Sequence, residues 1–460
     1  MRYNARLGLL VTALVAAALI GLHLNISPPT IRTGWRPWSQ RAVLPTKPSA
    51  EIDVEAPPCQ WLAGAENVVV VMRTGATEIK AKLPVHLNTT FQCYPDTLIF
   101  SDYAEVFEGH QVHDVLAKVS NEVVETQGDF KHYRRLQKLG RVGLAQDELH
   151  AESLESGPVG KNDNPGWRLD KWKFLPMMTR TLELRPDKEW FIFIEPDTYV
   201  VWSNMVQWLQ TLDPQKDSYY GSEVQIGTDV FAHGGSAFVM SNSAIRKAAA
   251  AYEADPDFWH ARTAEHWAGD CILGKALKTT GIGLVWSWPM FQGGNPADMD
   301  WKERKDERRL WCSPALSYHH FEAYEVASMW GFEQQHILRL TGPRLHRSKD
   351  SILHHHDLFE RYVVPNISTT RPNWTNMSPD LVPASSHMGV EECRTHCENL
   401  PGCVQFSSSV FGCSTGAELK MGRPAGGVSA GWTGGGVARW RKGFGGCNGV
   451  GWWTSGWAQS

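Results

Sequence analysis

WFIFIEPDTYVVWSNMVQWLQTL, residues 190–212, carries the strongest fold signal in the chain. Phe191, Ile192, Phe193 and Ile194 form an apolar run with no polar interruption, the pattern of a strand buried on both faces of a parallel sheet. Pro196 ends that strand, because it has no N–H to give to a ladder, and it biases Glu195 toward extended backbone. Side chains two apart on an extended backbone point the same way. Glu195 and Asp197 are therefore expected to project together from the strand's carboxyl end, where open α/β sheets place their ligands. Two carboxylates side by side suit a hard divalent cation, Mg²⁺ or Mn²⁺; the same tripeptide also serves as an ordinary solvated turn. Ser203 is placed to cap a following helix, with Met205, Val206, Leu209 and Leu212 on one face and Asp213-Pro214 as its stop.

The 460 residues are 42% hydrophobic and 20% charged, the composition of an ordinary globular protein of one large or two to three smaller domains. A net charge of −4 with no long basic block argues against nucleic acid as a partner. Twenty-one tryptophans suit either sugar rings or cores. Arg2 and Arg6 precede residues 7–24 (LGLLVTALVAAALIGLHL), which lack Lys, Arg, Asp and Glu and approach the ~20 residues that cross a bilayer as a helix. The expectation is a signal anchor at 7–24, with residues 1–6 as a cytoplasmic tail and 25–58 as a stem rich in Pro, Ser, Thr and Arg. Asn88-Thr-Thr, Asn366-Ile-Ser, Asn373-Trp-Thr and Asn376-Met-Ser are N-glycosylation sequons. Nine cysteines in that setting read as disulfides with one left over. A type II membrane protein of the Golgi, with everything after the stem in the lumen, fits these features.

Residues 68–71 (VVVV) read as a buried strand, 73–76 (RTGA) as the loop at its end, 78–83 as a helix and 97–100 as a second strand. Strand, loop, helix and strand at this spacing make a βαβ unit, hence a parallel, doubly wound sheet. A Cys59–Cys93 bridge would staple it. Arg73 and Thr74 stand where a nucleotide phosphate or base could be met, or simply form a βα turn. Residues 112–124 carry a helical pattern, and 167–178 (WRLDKWKFLPMM) read as a helix under the central strand. Its Asp170, Lys171 and Lys173 either reach a diphosphate or form a solvated face. Gly234-Gly235 allows close approach of backbone to a ligand, and 237–240 form another strand. Asp270, at the start of a helix over 272–278, is either a helix cap or a general base. His319 and His320 in CSPALSYHH (residues 312–320) could complete a carboxylate metal site or merely pack. Cys271 and Cys312 could form a second disulfide.

The ordered series RTGATE, IFSD, WRLDKWKFLP, FIFIEPDTYVVWSN, HGGSAFVMS, GDCILGKAL and SYHH, within residues 59–345, resembles glycosyltransferase family 31. The likeness is greatest to its fungal members, and to the core 1 β-1,3-galactosyltransferase and Fringe-like enzymes. The resemblance implies a GT-A-type, Rossmann-like mixed sheet flanked by helices, a UDP-sugar donor, Mn²⁺ and inversion at the anomeric carbon. It places the metal motif on Glu195-Pro196-Asp197, the metal-binding histidine on His319 and the base on Asp270. Donor contacts would then fall to Arg73, Thr74, Gly75, Asp102, Lys171 and Pro196, and substrate contacts to Gly234 and Gly235. Two positions depart from the family pattern: Glu195 stands for its first Asp, and Gly269 for the acid before Asp270.

Residues 346–385 read as a Pro-, Asn-, Ser- and Thr-rich linker. Cys393, Cys397, Cys403 and Cys413 then mark a small disulfide-stapled module over 386–435, since so short a stretch lacks an adequate core. Its spacing resembles an apple/PAN module. Residues 436–460 form a Gly- and Trp-rich tail whose Cys447 either pairs elsewhere or is the odd thiol. The function expected is metal-dependent transfer of a hexose, galactose foremost, from a UDP-sugar to a glycan or glycoprotein in β-1,3 linkage. A non-catalytic glycan-binding or scaffolding protein is the rival, motivated by Glu195 and Gly269. A hydrolase would need two opposed carboxylates around a groove, and no such pair is marked.

Overall fold

Every residue of Trp190–Ile194 is buried, as its apolar run requires, and the strand lies in the middle of a sheet. The computed structural model describes residues 56–149, 165–340, 352–367, 370–447 and 451–452. The expected tail (1–6), anchor (7–24) and nearly all of the stem lie outside the described residues. Among the described residues no helix is long and apolar enough to cross a membrane.

The strands of the first part are β1 (Val68–Arg73), β2 (Thr97–Ser101), β3 (Glu105–Phe107), β4 (His110–Asp114), β5 (Trp190–Ile194), β6 (Tyr199–Val200) and β7 (Tyr219–Gly221). There follow β8 (Glu223–Ile226), β9 (Asp229–Ala232), β10 (Phe238–Ser241), β11 (Val285–Trp286), β12 (Arg304–Lys305), β13 (Arg308–Arg309) and β14 (Ser317–Tyr318). Eight of them form one sheet in the order β11-β7-β10-β5-β1-β2-β4-β3. The β4, β2, β1 and β5 strands are parallel, with Val70 opposite both Thr97 and Ile192, which bears out the βαβ reading. After the β8–β9 hairpin the chain returns through β10 antiparallel to β5, so the sheet is mixed. Strand alternation divides its side chains between two cores. Val69, Val71, Phe191 and Phe193 join one with the helices Phe174–Leu184, Asn242–Ala254 and Gly269–Thr279. Val68, Val70, Met72, Ile192 and Ile194 join the other with Ile79–Leu87 and Trp202–Leu209.

Three local expectations fail. Residues 112–124 are not one helix: β4 ends at Asp114, and a helix begins only at Asn121. Val112, Val115, Leu116 and Val119 are all buried, so a strand end and a turn reproduce the three-and-four spacing of a helix face. Ser203 is not a cap but lies inside the helix Trp202–Leu209, where its N–H and Oγ both donate to the buried Glu333 carboxylate at 2.7 and 2.8 Å. Leu212 falls beyond that helix. Cys271 and Cys312 do not pair. Cys312 bonds Cys447, and Cys271 is a buried thiol inside the helix Gly269–Thr279, packed against Phe231 and Ala268. Burial pushes that thiol up to about 11. Cys59–Cys93 forms as expected.

The range read as a linker is built into the C-terminal fold. Strands β15 (Arg371–Thr375) and β16 (Asp380–Leu381) flank β17 (Gln405–Ser409), β18 (Gly412–Gly416) and β19 (Arg423–Trp432) in a sheet ordered β15-β19-β17-β18-β16. Cys393–Cys413 and Cys397–Cys403 staple the helix Val390–Asn399 and its neighbours. Trp374, Trp432 and Trp440 share a core with Trp288, Trp301 and Trp311, so these tryptophans are filling material, not sugar platforms. Asn88, Asn366 and Asn373 are exposed. Asn376 is fully buried, its side-chain amide donating to the carbonyls of Phe406 and Gly431, which removes it as a glycan acceptor.

Candidate active site

The turn after β5 brings the acidic motif into place. Glu195 N–H donates to Thr198 Oγ1 at 3.1 Å, Thr198 N–H donates back to Glu195 O at 3.0 Å, and Thr198 Oγ1 donates to Gly235 O at 2.8 Å. The buried His86 fixes the turn from below: its Nε2–H donates to Pro196 O at 2.7 Å, and burial lowers its pKa to about 4, which keeps it neutral. Strand β6 pairs antiparallel with β14, Tyr199 opposite Tyr318, and Phe321 N–H donates to Asp197 O at 3.0 Å. That register sets His319 beside Asp197, with Nε2 3.1 Å from Oδ1.

The carboxylates are unequal. Glu195 Oε1 is engaged by the buried Arg73, which also pairs with Asp170 and lies over the Phe174 ring at 4.0 Å. Burial works against ionisation of Glu195, but Arg73 and His319 bring its pKa down to about 2. Asp197 Oδ2 lies 3.2 Å from Lys82 Nζ; again burial is opposed, and Lys82 with His319 hold this carboxyl well below the usual range. His319 moves the other way, from burial's downward push to about 9, through Asp197 and Glu195.

Gly234-Gly235 separates this group from Asp270. A Cβ on Gly234 would meet Arg73, Phe174 and Glu195 at 3.2–3.3 Å, and one on Gly235 would lie 2.2 Å from the His319 ring. Gly234 N–H donates to Asp270 Oδ2 at 3.0 Å. Asp270 is the second residue of its helix, behind the cap position Ala268. Its carboxylate is turned across to Gly234, not used as the N-cap, and burial raises its pKa against the pull of His233.

The β1 loop is braced from behind. Lys173 Nζ donates to Thr74 O at 2.7 Å, and the fully buried Asp102 accepts from Ala76 N–H at 2.7 Å. Asp102 thus holds the loop, and Gly75 O accepts from the N–H groups of Glu78 and Ile79 at the helix start. Lys171 Nζ lies 2.9 Å from Asp129 Oδ2.

Residues 65–335 match the family model described as Fringe-like. The chain belongs to the Fringe-like family. This family lies within the glycosyltransferase group that the motif series resembles, and membership supports a transferase. In this Fringe-like chain the departure at Gly269 has a steric cause. A Cβ there would lie 2.6 Å from the Lys171 backbone and 2.4 Å from Phe174, so the position has no room for an acid. Sequence reading missed Lys82 and His86 as parts of the site; Asp170 and Lys173, read as diphosphate contacts or a solvated face, respectively pair with Arg73 and hold Thr74 O. Only the helical phase of Lys82, one turn after Glu78 and on the helix following the β1 loop, could have pointed to it.

Asp197, His319 and His320 each offer a ligand atom, all within 4.8 Å of one another. His319 Nδ1 is buried with no hydrogen-bond partner. A carboxylate and imidazoles with an orphaned ring nitrogen fit the divalent cation that the family implies.

Proposed function

We propose that this chain is an inverting, metal-dependent glycosyltransferase that moves a hexose, galactose foremost, from a UDP-sugar to a glycan or glycoprotein acceptor in β-1,3 linkage. The observation that carries the reading is the position of Asp270: one glycine dipeptide separates a carboxylate of raised pKa from the Asp197–His319 group. A raised pKa makes Asp270 a better proton acceptor near neutral pH. It takes the proton of an acceptor hydroxyl while that oxygen bonds to the anomeric carbon; the bond from that carbon to the diphosphate breaks, and UDP leaves with the electron pair. Gly234 N–H holds the carboxylate in position for this. Arg73, fixed by Asp170 and Glu195, and the braced loop at Thr74 and Gly75 form the donor side. Asp197 and His319 would hold Mn²⁺ there, which when bound neutralises charge on the departing diphosphate.

Four disulfides and exposed sequon asparagines support a lumenal setting in the secretory pathway. Residues 7–24 anchoring a type II Golgi protein, and residues 386–435 acting as an apple/PAN-like binding module, complete the proposal.

The test is UDP release by the purified full chain with a panel of UDP-sugars and simple glycoside acceptors, with Mn²⁺ or chelator, beside Asp197→Ala. Release from one donor that needs Mn²⁺ and is lost in the variant supports the transferase and names its sugar. UDP binding without turnover for any pair favours the non-catalytic glycan-binding reading.

A further inference from the structure

We propose that His320, and not Glu195, is the third protein ligand beside Asp197 and His319, giving a cation site of one carboxylate and two imidazoles. The inference rests on the metal-dependent reading above and concerns only which side chains make the site.

Glu195 is divided, with one oxygen turned to Arg73 and the other, Oε2, 3.5 Å from His319 Nε2. Arg73 holds its Oε1, and the same guanidinium is tied to Asp170. Drawing Glu195 further onto a cation competes with its pairing to a buried guanidinium, and breaking a buried pair costs more than a surface pair is worth. Asp197 is divided between two neighbours, Oδ2 toward Lys82 at 3.2 Å and Oδ1 toward His319 at 3.1 Å. It therefore presents Oδ1 on the His319 side, and Glu195 stands outside the group whose ligand atoms all lie within 4.8 Å of one another.

His320 fills the gap. Its ring offers a nitrogen within the same 4.8 Å group as Asp197 and His319, and the two histidine rings have centroids 3.9 Å apart. The backbone holds it there in an uncommon conformation: His320 has φ 62°, in the left-handed region that non-glycine residues seldom occupy. Two hydrogen bonds fix that geometry. Asn295 Nδ2 donates to His320 O at 3.0 Å, and the next residue, Phe321, donates its N–H to Asp197 O at 3.0 Å. Strain of this kind persists where surrounding contacts over-determine it, and it concentrates at ligand sites. The chemistry follows from the donor set. Imidazoles favour first-row transition ions, whereas Mg²⁺ favours all-oxygen sites, so this site discriminates against Mg²⁺ more than two carboxylates would.

The experiment titrates the purified full chain with Mn²⁺ alone and with Mn²⁺ plus UDP, reading free Mn²⁺ by its electron paramagnetic resonance, then repeats it with Mg²⁺ as competitor. His320→Asn keeps a residue that tolerates positive φ and removes the imidazole; His320→Gly is the second variant should the first fail to fold. Either is expected to weaken Mn²⁺ binding by at least about tenfold, the lower bound for disturbing even the outer shell of a metal site. Both are also expected to narrow the preference for Mn²⁺ over Mg²⁺, a shift that a merely structural role would not produce. Glu195→Gln is expected to cost less Mn²⁺ affinity than either His320 variant. Unchanged affinity in both His320 variants, or a larger loss in Glu195→Gln, overturns the assignment while leaving metal dependence intact. Failure of the wild-type chain to bind Mn²⁺ with or without UDP overturns both.

Discussion

Gly235 and His319 are in contact so close that a Cβ on the glycine would lie 2.2 Å from the ring's Cε1. The absence of a side chain is what seats the imidazole beside Asp197. Gly235→Ala is therefore expected to push the ring away and weaken Mn²⁺ binding. Adding His319→Ala to Gly235→Ala should then cost little more, since the ring is already displaced. A double-mutant cycle on Mn²⁺ affinity checks this; additive losses would mean that the two residues act independently.

Asp270→Asn keeps an oxygen to accept from Gly234 N–H but cannot take a proton. UDP release in the presence of acceptor is expected to fall by about 10²–10⁴-fold, the range for a lost general base. UDP affinity measured by calorimetry should stay near that of the wild-type chain. Equal loss of both would assign Asp270 to donor binding.

Restoring the family's acid at the preceding position should harm the protein. Gly269→Asp drives a Cβ into the Lys171 backbone and the Phe174 ring, and overpacking of this sort costs about 1–3 kcal/mol. A lower thermal midpoint with no gain in turnover is the expected result. A faster enzyme would show that the glycine is a functional lesion instead of a packing requirement.

His355 gives stability a pH dependence. It is fully buried, and its Nε2–H donates to Pro289 O at 2.9 Å while Nδ1 meets Tyr318 Oη at 2.7 Å. Burial lowers its pKa from 6.5 to about 3. Between those values the unfolded chain binds a proton that the native chain refuses, so stability present above 6.5 declines as pH falls toward 3. One such group contributes a slope of at most about 1.4 kcal/mol per pH unit. Urea unfolding at pH 5 and 7 should show His355→Gln flattening the slope; an unchanged slope would assign it to other groups such as His86.

Much of this was legible because it is local. The apolar run at Phe191–Ile194, the proline after Glu195 and the glycine pair at 234–235 each state their structure within a few residues. The fold family followed from their order. What stayed hidden depends on long-range contacts. His86 reaches Pro196 across 110 positions, and Lys82 reaches Asp197 across 115; no window of sequence holds both partners. The Cys312–Cys447 pairing was missed for the same reason, because spacing gives the number of cysteines and not their connectivity. The buried quartet Val112, Val115, Leu116 and Val119 misled by imitating one periodicity with two elements. Glu195 and Asp197 were found by motif, but their neighbours Arg73 and Lys82 decide how each carboxylate is used, and charge pairing of that kind appears only in three dimensions.

The bridge from Cys312 to Cys447 closes a loop of 135 positions that contains the whole five-stranded sheet. A peptide bond broken anywhere inside that loop leaves two polypeptides still joined through sulfur, with the shared tryptophan core intact around the break. The nicked protein would migrate as one band without reductant and as two with it. Proteolytic shedding of the C-terminal sheet is thus a redox event as much as a hydrolytic one.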